Sequence, residues 1–304
     1  YCALDFGTAE SDPDELVAPV VLFNQLFVGG TTTFEAYSNI GGSGFPFQRS
    51  NLFFQQGISA RFSLQSTPDT FTWIGRSKKQ RPSVWVVEGN QTRRISTRPI
   101  DLLLGDLTTA ELSAITSWSY GEDGHYFVGW NLPDTTIVYD FATQRWHERQ
   151  SRINTGPNEY TITASRQRDL ILGYGRIYCV DSEDNRVGRL SSEVYDEYGQ
   201  EMQRQVTPQP LQNMLEPFSI PYLELHLESG VGGTTQPRVT LEVSKDGGHN
   251  FLAPRRRTFG KQGEYKRRAI WRRLGRADMT IVFRFTITDP VKVVGIQLVA
   301  DVRP

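Results

Sequence analysis

Four segments near the C-terminal end of the chain alternate apolar and polar residues with a period of two, and that pattern leaves few folds open. Leu223, Leu225 and Leu227 fall on one side of a strand, with Glu224, His226 and Glu228 on the other. Val239, Leu241 and Val243 repeat the pattern, as do Ile281, Phe283, Phe285 and Ile287, and then Val294, Ile296, Leu298, Ala300 and Val302. Side chains alternate across a strand, so each segment offers one apolar face to a core. Half-buried strands of this kind belong to antiparallel sheets. Four of them predict an antiparallel β-sandwich-like domain over 222–304.

Upstream the strand signal is just as dense but less regular. Phe, Tyr, Val and Thr are abundant, and Gly, Pro, Asn and Asp interrupt them every ten or so residues, the spacing of an all-β fold. A loose repeat of apolar strand, tight turn and returning strand recurs at Leu26–Tyr37, Val84–Ile95, Tyr126–Asp140 and Leu170–Tyr178. That spacing is near the span of a four-stranded propeller blade. The chain is therefore predicted to be all-β, with a β-propeller-like domain over 1–205, incomplete at its N-terminal side, followed by the sandwich. Between them, 206–221 carries Pro208, Pro210, Pro217 and Pro221 and reads as a linker or an extended crossing segment, because proline cannot donate to a sheet ladder. One helix is predicted: Thr108 and Glu111 have capping-box spacing, Leu112 and Ile115 share a face, and the helix is expected to end near Trp118.

At 304 residues the chain is long enough for two domains. No apolar run approaches the length of a membrane span. Cys2 and Cys179 are the only cysteines, in no metal-binding spacing, and fit synthesis in a reducing compartment. Tyr1 in place of Met predicts a fragment or a trimmed chain. The net charge of −1 conceals an asymmetry, since Phe218–Pro304 holds 15 basic and 8 acidic residues while the remainder holds 18 and 26. A C-terminal part facing an anion, or two parts of complementary charge, both follow from that imbalance.

Ten of the basic residues lie between Arg255 and Arg276, with Glu264 as the one acid among them. The candidates are Arg255, Arg256, Arg257, Lys266, Arg267, Arg268, Arg272 and Arg273, interleaved with Tyr265 and Trp271. Three uses fit these residue types: phosphate contact with stacking, a subunit interface anchored by Arg and aromatic residues, or a solvated strand face. Just upstream, Ser244-Lys245-Asp246-Gly247-Gly248-His249-Asn250-Phe251 matches the Asp-box pattern. Ser244, Asp246, Gly247 and Gly248 are predicted to close a hairpin turn, with Asp246 capping it and the glycines taking positive φ.

The chain has no pattern that predicts catalysis, a metal or a cofactor. His125, His147, His226 and His249 are scattered. Gly41-Gly42-Ser43-Gly44 precedes Phe45-Pro46-Phe47 and not a helix, so it is a loop and not a phosphate cradle. No nucleophile elbow is present. The single Asp-box raises a sialidase-like or glycan-binding propeller as an alternative, with Trp73, Trp85, Trp118 and Trp130 as candidate platforms that also suit a core.

In order along the chain, Asp5-Phe6-Gly7 with Ala9-Glu10, Phe27-Val28-Gly29-Gly30 to Tyr37, Phe45-Pro46-Phe47, Ile95-Ser96-Thr97, Tyr139-Asp140 to Arg149, Ser244 to Phe251, and Phe259-Gly260 to Val291 resemble one family. It is the packaged-DNA stabilisation or tail-hub (nozzle) proteins of short-tailed bacteriophages. The resemblance implies a non-enzymatic virion protein of the tail, assembled in the host cytoplasm, that forms a ring, usually a hexamer. It further implies attachment below the portal-side adaptor, contact with other tail proteins, closure of the DNA exit channel, and sequence-independent contact with double-stranded DNA.

Overall fold

The computed structural model describes residues 14–41, 45–77, 80–156, 159–213, 216–233 and 235–304. Cys2, the Asp5–Glu10 motif and Gly42–Gly44 lie outside them. Strand makes up 55% of the structure and helix 5%, so the all-β expectation holds. The chain divides into two compact units. One runs to Gln150 and resumes over Thr163–Leu190; the other comprises Ser151–Ile162 and Ser191–Pro304.

The first unit is a succession of antiparallel meanders, the blade topology of a propeller. Leu16–Leu22, Gln25–Gly30, Phe34–Asn39 and Phe47–Phe54 form the first sheet. The second holds Phe71–Arg76, Ser83–Glu88 and Gln91–Arg94, with short strands at Gly57–Ile58 and Gln65–Ser66. Thr116–Glu122, His125–Asn131, Thr136–Asp140 and the first half of Arg145–Gly156 make the third, and Gln167–Gly173, Arg176–Asp181 and Val187–Leu190 the fourth. Each of the four repeats read from the sequence falls in a different sheet. The hairpin between Thr116–Glu122 and His125–Asn131 turns on Asp123 (φ 50°) and Gly124 (φ 80°), the two positive φ values that match strand twist in a two-residue turn. Phe27, Phe34, Phe54, Phe71 and Trp73 fill one core and Trp130, Tyr139, Val84 and Val86 a second. Trp73, Trp118 and Trp130 are buried and Trp85 is half-buried.

Two helices sit beside the second core. Helix α1 (Arg98–Gly105) follows Thr97 with Pro99 in its first turn, and α2 (Thr109–Ala114) carries the capping box at Thr108 and Glu111. They bury Ile100, Leu104 and Leu112. α2 ends at Ala114, short of the predicted Trp118, because Ile115 is already extended and Trp118 is buried in the next strand beside Tyr120 and Val138. α1 was not predicted; its proline opens the helix, where a missing N–H costs nothing, instead of breaking it.

In the second unit, two sheets close on one core. Arg204–Val206 and Leu211–Gln212 pair with Thr280–Ile287, which pairs with Arg238–Ser244, which pairs with the edge strand Arg255–Thr258. The other sheet centres on Phe218–Leu227, flanked by Ala269–Arg272 and Arg276–Ala277 on one side and Gly295–Arg303 on the other. Leu223, Leu225, Val239, Leu241, Val243, Ile281, Phe283, Phe285 and Ile287 meet around Trp271, as their alternation predicts. The last segment departs from it. Leu298 and Ala300 pack on the core, but Ile296 is 68% exposed, and Val294 and Val302 are also exposed. Period two selects a face, whereas burial also needs an opposing layer, which these three lack.

The proline-rich stretch is paired in part. Val206, Leu211 and Gln212 lie along Thr280–Ile287, and Phe218–Pro221 begins the central strand. Pro208 and Pro210 fall between pairings, and Pro221 lies where the register shifts between Ser219 and Tyr222, so none of them has to donate to the ladder.

Candidate anion-facing edge of the C-terminal sandwich

The basic run occupies the place where the two sheets of the sandwich meet at one edge. Arg255–Thr258 is the edge strand of one sheet and Ala269–Arg272 that of the other. Trp271, fully buried, donates from Nε1 to the Arg255 carbonyl at 2.9 Å. Arg257 Nε donates to the Ile270 carbonyl at 2.9 Å, and the Arg255 guanidinium to the Arg273 carbonyl at 3.2 Å. These bonds cross from one sheet to the other and satisfy carbonyls at the sandwich rim. Phe259 is buried just beyond the edge strand. The chain then turns at Gly260, φ 105°, where a Cβ would come 2.7 Å from the Glu264 carbonyl oxygen, so only glycine fits.

The eight predicted cations separate into three groups. Arg255, Arg257 and Arg267 are fixed by neutral acceptors, Arg267 through Thr258 Oγ1 at 3.1 Å. Arg268 reaches Glu224 at 3.0 Å and Arg272 lies over the Tyr222 ring, its guanidinium carbon 5.6 Å from the centroid. Arg256, Lys266 and Arg273 are exposed and hold no ion pair among the described residues. Arg268 alone of the eight is within ion-pair distance of a carboxylate among those residues. Glu264 does not neutralise the run: its carboxylate accepts from Gln236 Nε2 at 3.0 and 3.1 Å. The edge therefore combines positional order with positive charge left largely uncompensated, an arrangement suited to an anion.

Glu224 was legible only as an outward-facing polar residue. It does lie opposite Leu223 and Leu225, yet it is 3% exposed, covered by Tyr222, whose hydroxyl donates to it, by His226 at 2.6 Å and by Arg268. A buried carboxylate needs such partners, and together they fix Arg268 in place.

The Asp-box forms the turn its sequence predicts. Ser244 Oγ donates to Asp246 at 2.6 Å and accepts from Gly248 N at 2.9 Å. Asp246 also accepts from the Asn250 backbone at 2.9 Å and from its side-chain amide at 2.7 Å. The bond from the Asn250 backbone, then those from Ser244 and the Asn250 side chain, hold the Asp246 carboxyl far below the usual carboxylate range. Gly247 and Gly248 take φ of 76° and 99°. All of these groups serve the hairpin itself. The glycan-platform candidates fare no better as a site, since three of the four tryptophans are core.

Two family models match the chain in sequence order. One described as Bacteriophage P22 Gp10, beta-propeller, covers residues 2–195, and one described as Bacteriophage P22 Gp10, beta-sandwich, covers residues 198–303. The chain belongs to the bacteriophage P22 Gp10 family. The resemblance read from scattered motifs thus agrees with the family, and the propeller-then-sandwich order of this Gp10-family chain with the family's two parts. A curated relative, the tail hub protein gp10 of Salmonella phage P22, is 23% identical over 301 residues, 95% of this chain, which spans 61% of that relative's length. Among solved structures, the exo-β-1,3-galactanase of Phanerochaete chrysosporium with galactose aligns over 95% of this chain and 82% of its own, at 9% identity and a TM-score of 0.30. Dihydro-heme d1 dehydrogenase NirN aligns over 87% of this chain and 49% of its own, at 10% identity and a TM-score of 0.33. Likenesses that distant carry no inference about the Gp10-family chain.

Proposed function

We propose that this Gp10-family chain is a structural protein of a phage tail, a virion component assembled in the host cytoplasm and without enzymatic activity. In this reading it forms a ring, a hexamer, at the head-to-tail junction. The ring docks on the portal-side adaptor and other tail proteins and closes the DNA exit channel after packaging. The observation that carries the reading is the match to both parts of the family in order, together with the tail hub name of the P22 relative.

The basic edge supplies the mechanism. Arg255, Arg256, Arg257, Lys266, Arg267, Arg268, Arg272 and Arg273 present positive charge either to duplex DNA in the channel or to the adjoining subunit. Contact with DNA is to backbone phosphates, because a channel must pass any sequence. If about six phosphates are neutralised, affinity falls ~10³-fold or more between roughly 50 and 200 mM salt. Light scattering of the purified chain, imaging of any ring, and a salt titration against random-sequence duplex test the reading. A chain that remains monomeric at high concentration overturns the ring, and binding that ignores salt overturns the DNA contact.

A further inference from the structure

Beside the basic edge lies a cavity of about 450 Å³, walled in part by Tyr265, Ile296, Lys266, Arg267, Arg268 and His226. Its lining contains three consecutive cations and no acidic side chain. Arg267 and Arg268 are fixed through Thr258 and Glu224, so two of the cations are pre-positioned.

Tyr265 gives the cavity a second character. Its ring rests against Gly230, φ 82°, where a Cβ would come 2.6 Å from Tyr265 Cδ1, so the ring lies against bare backbone. The two segments are tied together. Ser229 Oγ donates to the Tyr265 carbonyl at 2.9 Å, and Gly263 N donates to the Gly230 carbonyl at 3.2 Å. Yet the side chain is 70% exposed, as is its apolar neighbour in the cavity wall, Ile296, at 68%. An aromatic ring held from one side and open on the other, next to fixed guanidinium groups and an ammonium with no ion pair among the described residues, fits a planar group that carries negative charge.

From this geometry we infer a site for one unpaired nucleotide of a DNA strand, its base stacked on Tyr265 and its phosphate held by Lys266 and Arg267. Duplex DNA keeps its base faces stacked inside and presents phosphates and base edges, whereas an unpaired strand offers a base face together with a phosphate. The inference rests on the DNA reading above and adds a preference for single strands.

The experiment is fluorescence anisotropy of the full chain with a labelled oligothymidylate of about 12 nucleotides and with a duplex of equal length. The single strand is expected to bind more tightly than the duplex. Tyr265→Ala, checked for an unchanged melting temperature, is expected to weaken the single strand about 5- to 150-fold, the range for losing one stacked base, and to leave the duplex unaffected. Tyr265→Phe, which keeps the ring, is expected to restore the affinity. Duplex binding with no added preference for the single strand, or an affinity indifferent to Tyr265→Ala, overturns this site while leaving the DNA reading intact. Failure to bind either probe at low salt overturns both. Equal displacement of oligothymidylate by heparin before and after Tyr265→Ala marks a purely electrostatic surface and also overturns the site.

Discussion

In the blade unit, Arg166 is 5% exposed and lies on Asp181, itself 1% exposed, through two bonds of 2.9 and 2.6 Å. In the sandwich unit, Arg257 is exposed and donates at 2.9 Å to a backbone carbonyl. Both guanidinium groups are held in place, but the first is neutralised and the second is not. A bidentate carboxylate cancels the charge it positions, whereas a carbonyl positions the charge and leaves its field intact. The same residue type thus builds a fold in one unit and a charged surface in the other. The difference follows from whether an acid is packed against it, not from the count of arginines. Removing the two side chains separates these uses. Arg166→Ala leaves the buried Asp181 carboxylate with Arg186 at 3.6 Å and the Glu183 backbone N–H at 2.8 Å, without its bidentate partner, and is expected to cost about 3 kcal/mol in urea unfolding. Arg257→Ala frees a rim carbonyl that water can reach and is expected to cost about 1 kcal/mol or less. Equal losses would break the comparison.

Arg149 shows a third arrangement. Its guanidinium carbon lies 5.2 to 5.3 Å from the ring centroids of Trp118, Tyr120 and Phe127, and it donates to the Tyr120 hydroxyl at 2.6 Å. Aromatic faces stabilise the charge without cancelling it. His147 lies beside this group, and desolvation of its ring, then the Arg149 charge, lower its pKa from 6.5 to about 4. A depressed histidine pKa means that the unfolded chain takes up the proton first. Its contribution to stability is complete above pH 6.5 and is lost as the pH falls toward about 4. Denaturant titrations across that window are expected to show a smaller loss of stability in His147→Phe than in the parent chain. Identical pH profiles for the two would place the acid sensitivity elsewhere.

How much of this was legible in the sequence depended on whether the determining contact was local. Leu223, Leu225 and Leu227 alternate with polar residues, and the strand follows from that alone. The Asp-box likewise carries its own partners within seven positions, and its hydrogen bonds are those the motif predicts. The exposure of Ile296 was not legible, because alternation cannot report that no layer covers the strand end. Nor was the division among the eight cations. Whether an arginine meets a carbonyl of the other sheet, as Arg257 meets Ile270, or a carboxylate of the strand paired beside it, as Arg268 meets Glu224, depends on long-range pairing that no local pattern carries. The burial of Glu224 belongs to the same class: its cover comes from Tyr222 and His226, two residues away on either side, and from Arg268, just before the neighbouring strand.

The weakest expected effect on stability gives the sharpest test of what the sandwich edge is for. Arg256 and Arg273 hold no ion pair among the described residues, so replacing them removes charge and little else. Arg273 has φ of 56°, a left-handed conformation that glycine takes more readily than arginine, so Arg273→Gly loses a cation while easing the backbone. The double variant Arg256→Ala with Arg273→Gly is expected to unfold within about 0.5 kcal/mol of the parent. If both side chains meet duplex phosphates, the slope of log affinity against log salt becomes shallower by about 0.9 per residue lost, while the oligomer stays intact. If they meet the neighbouring subunit instead, the slope of any remaining DNA binding is unchanged and the oligomer dissociates at lower salt than the parent. A variant that changes neither quantity would make these two cations a solvated face. The ordered but uncompensated charge would then belong to the residues tied to carbonyls, Arg255 and Arg257, rather than to those left free.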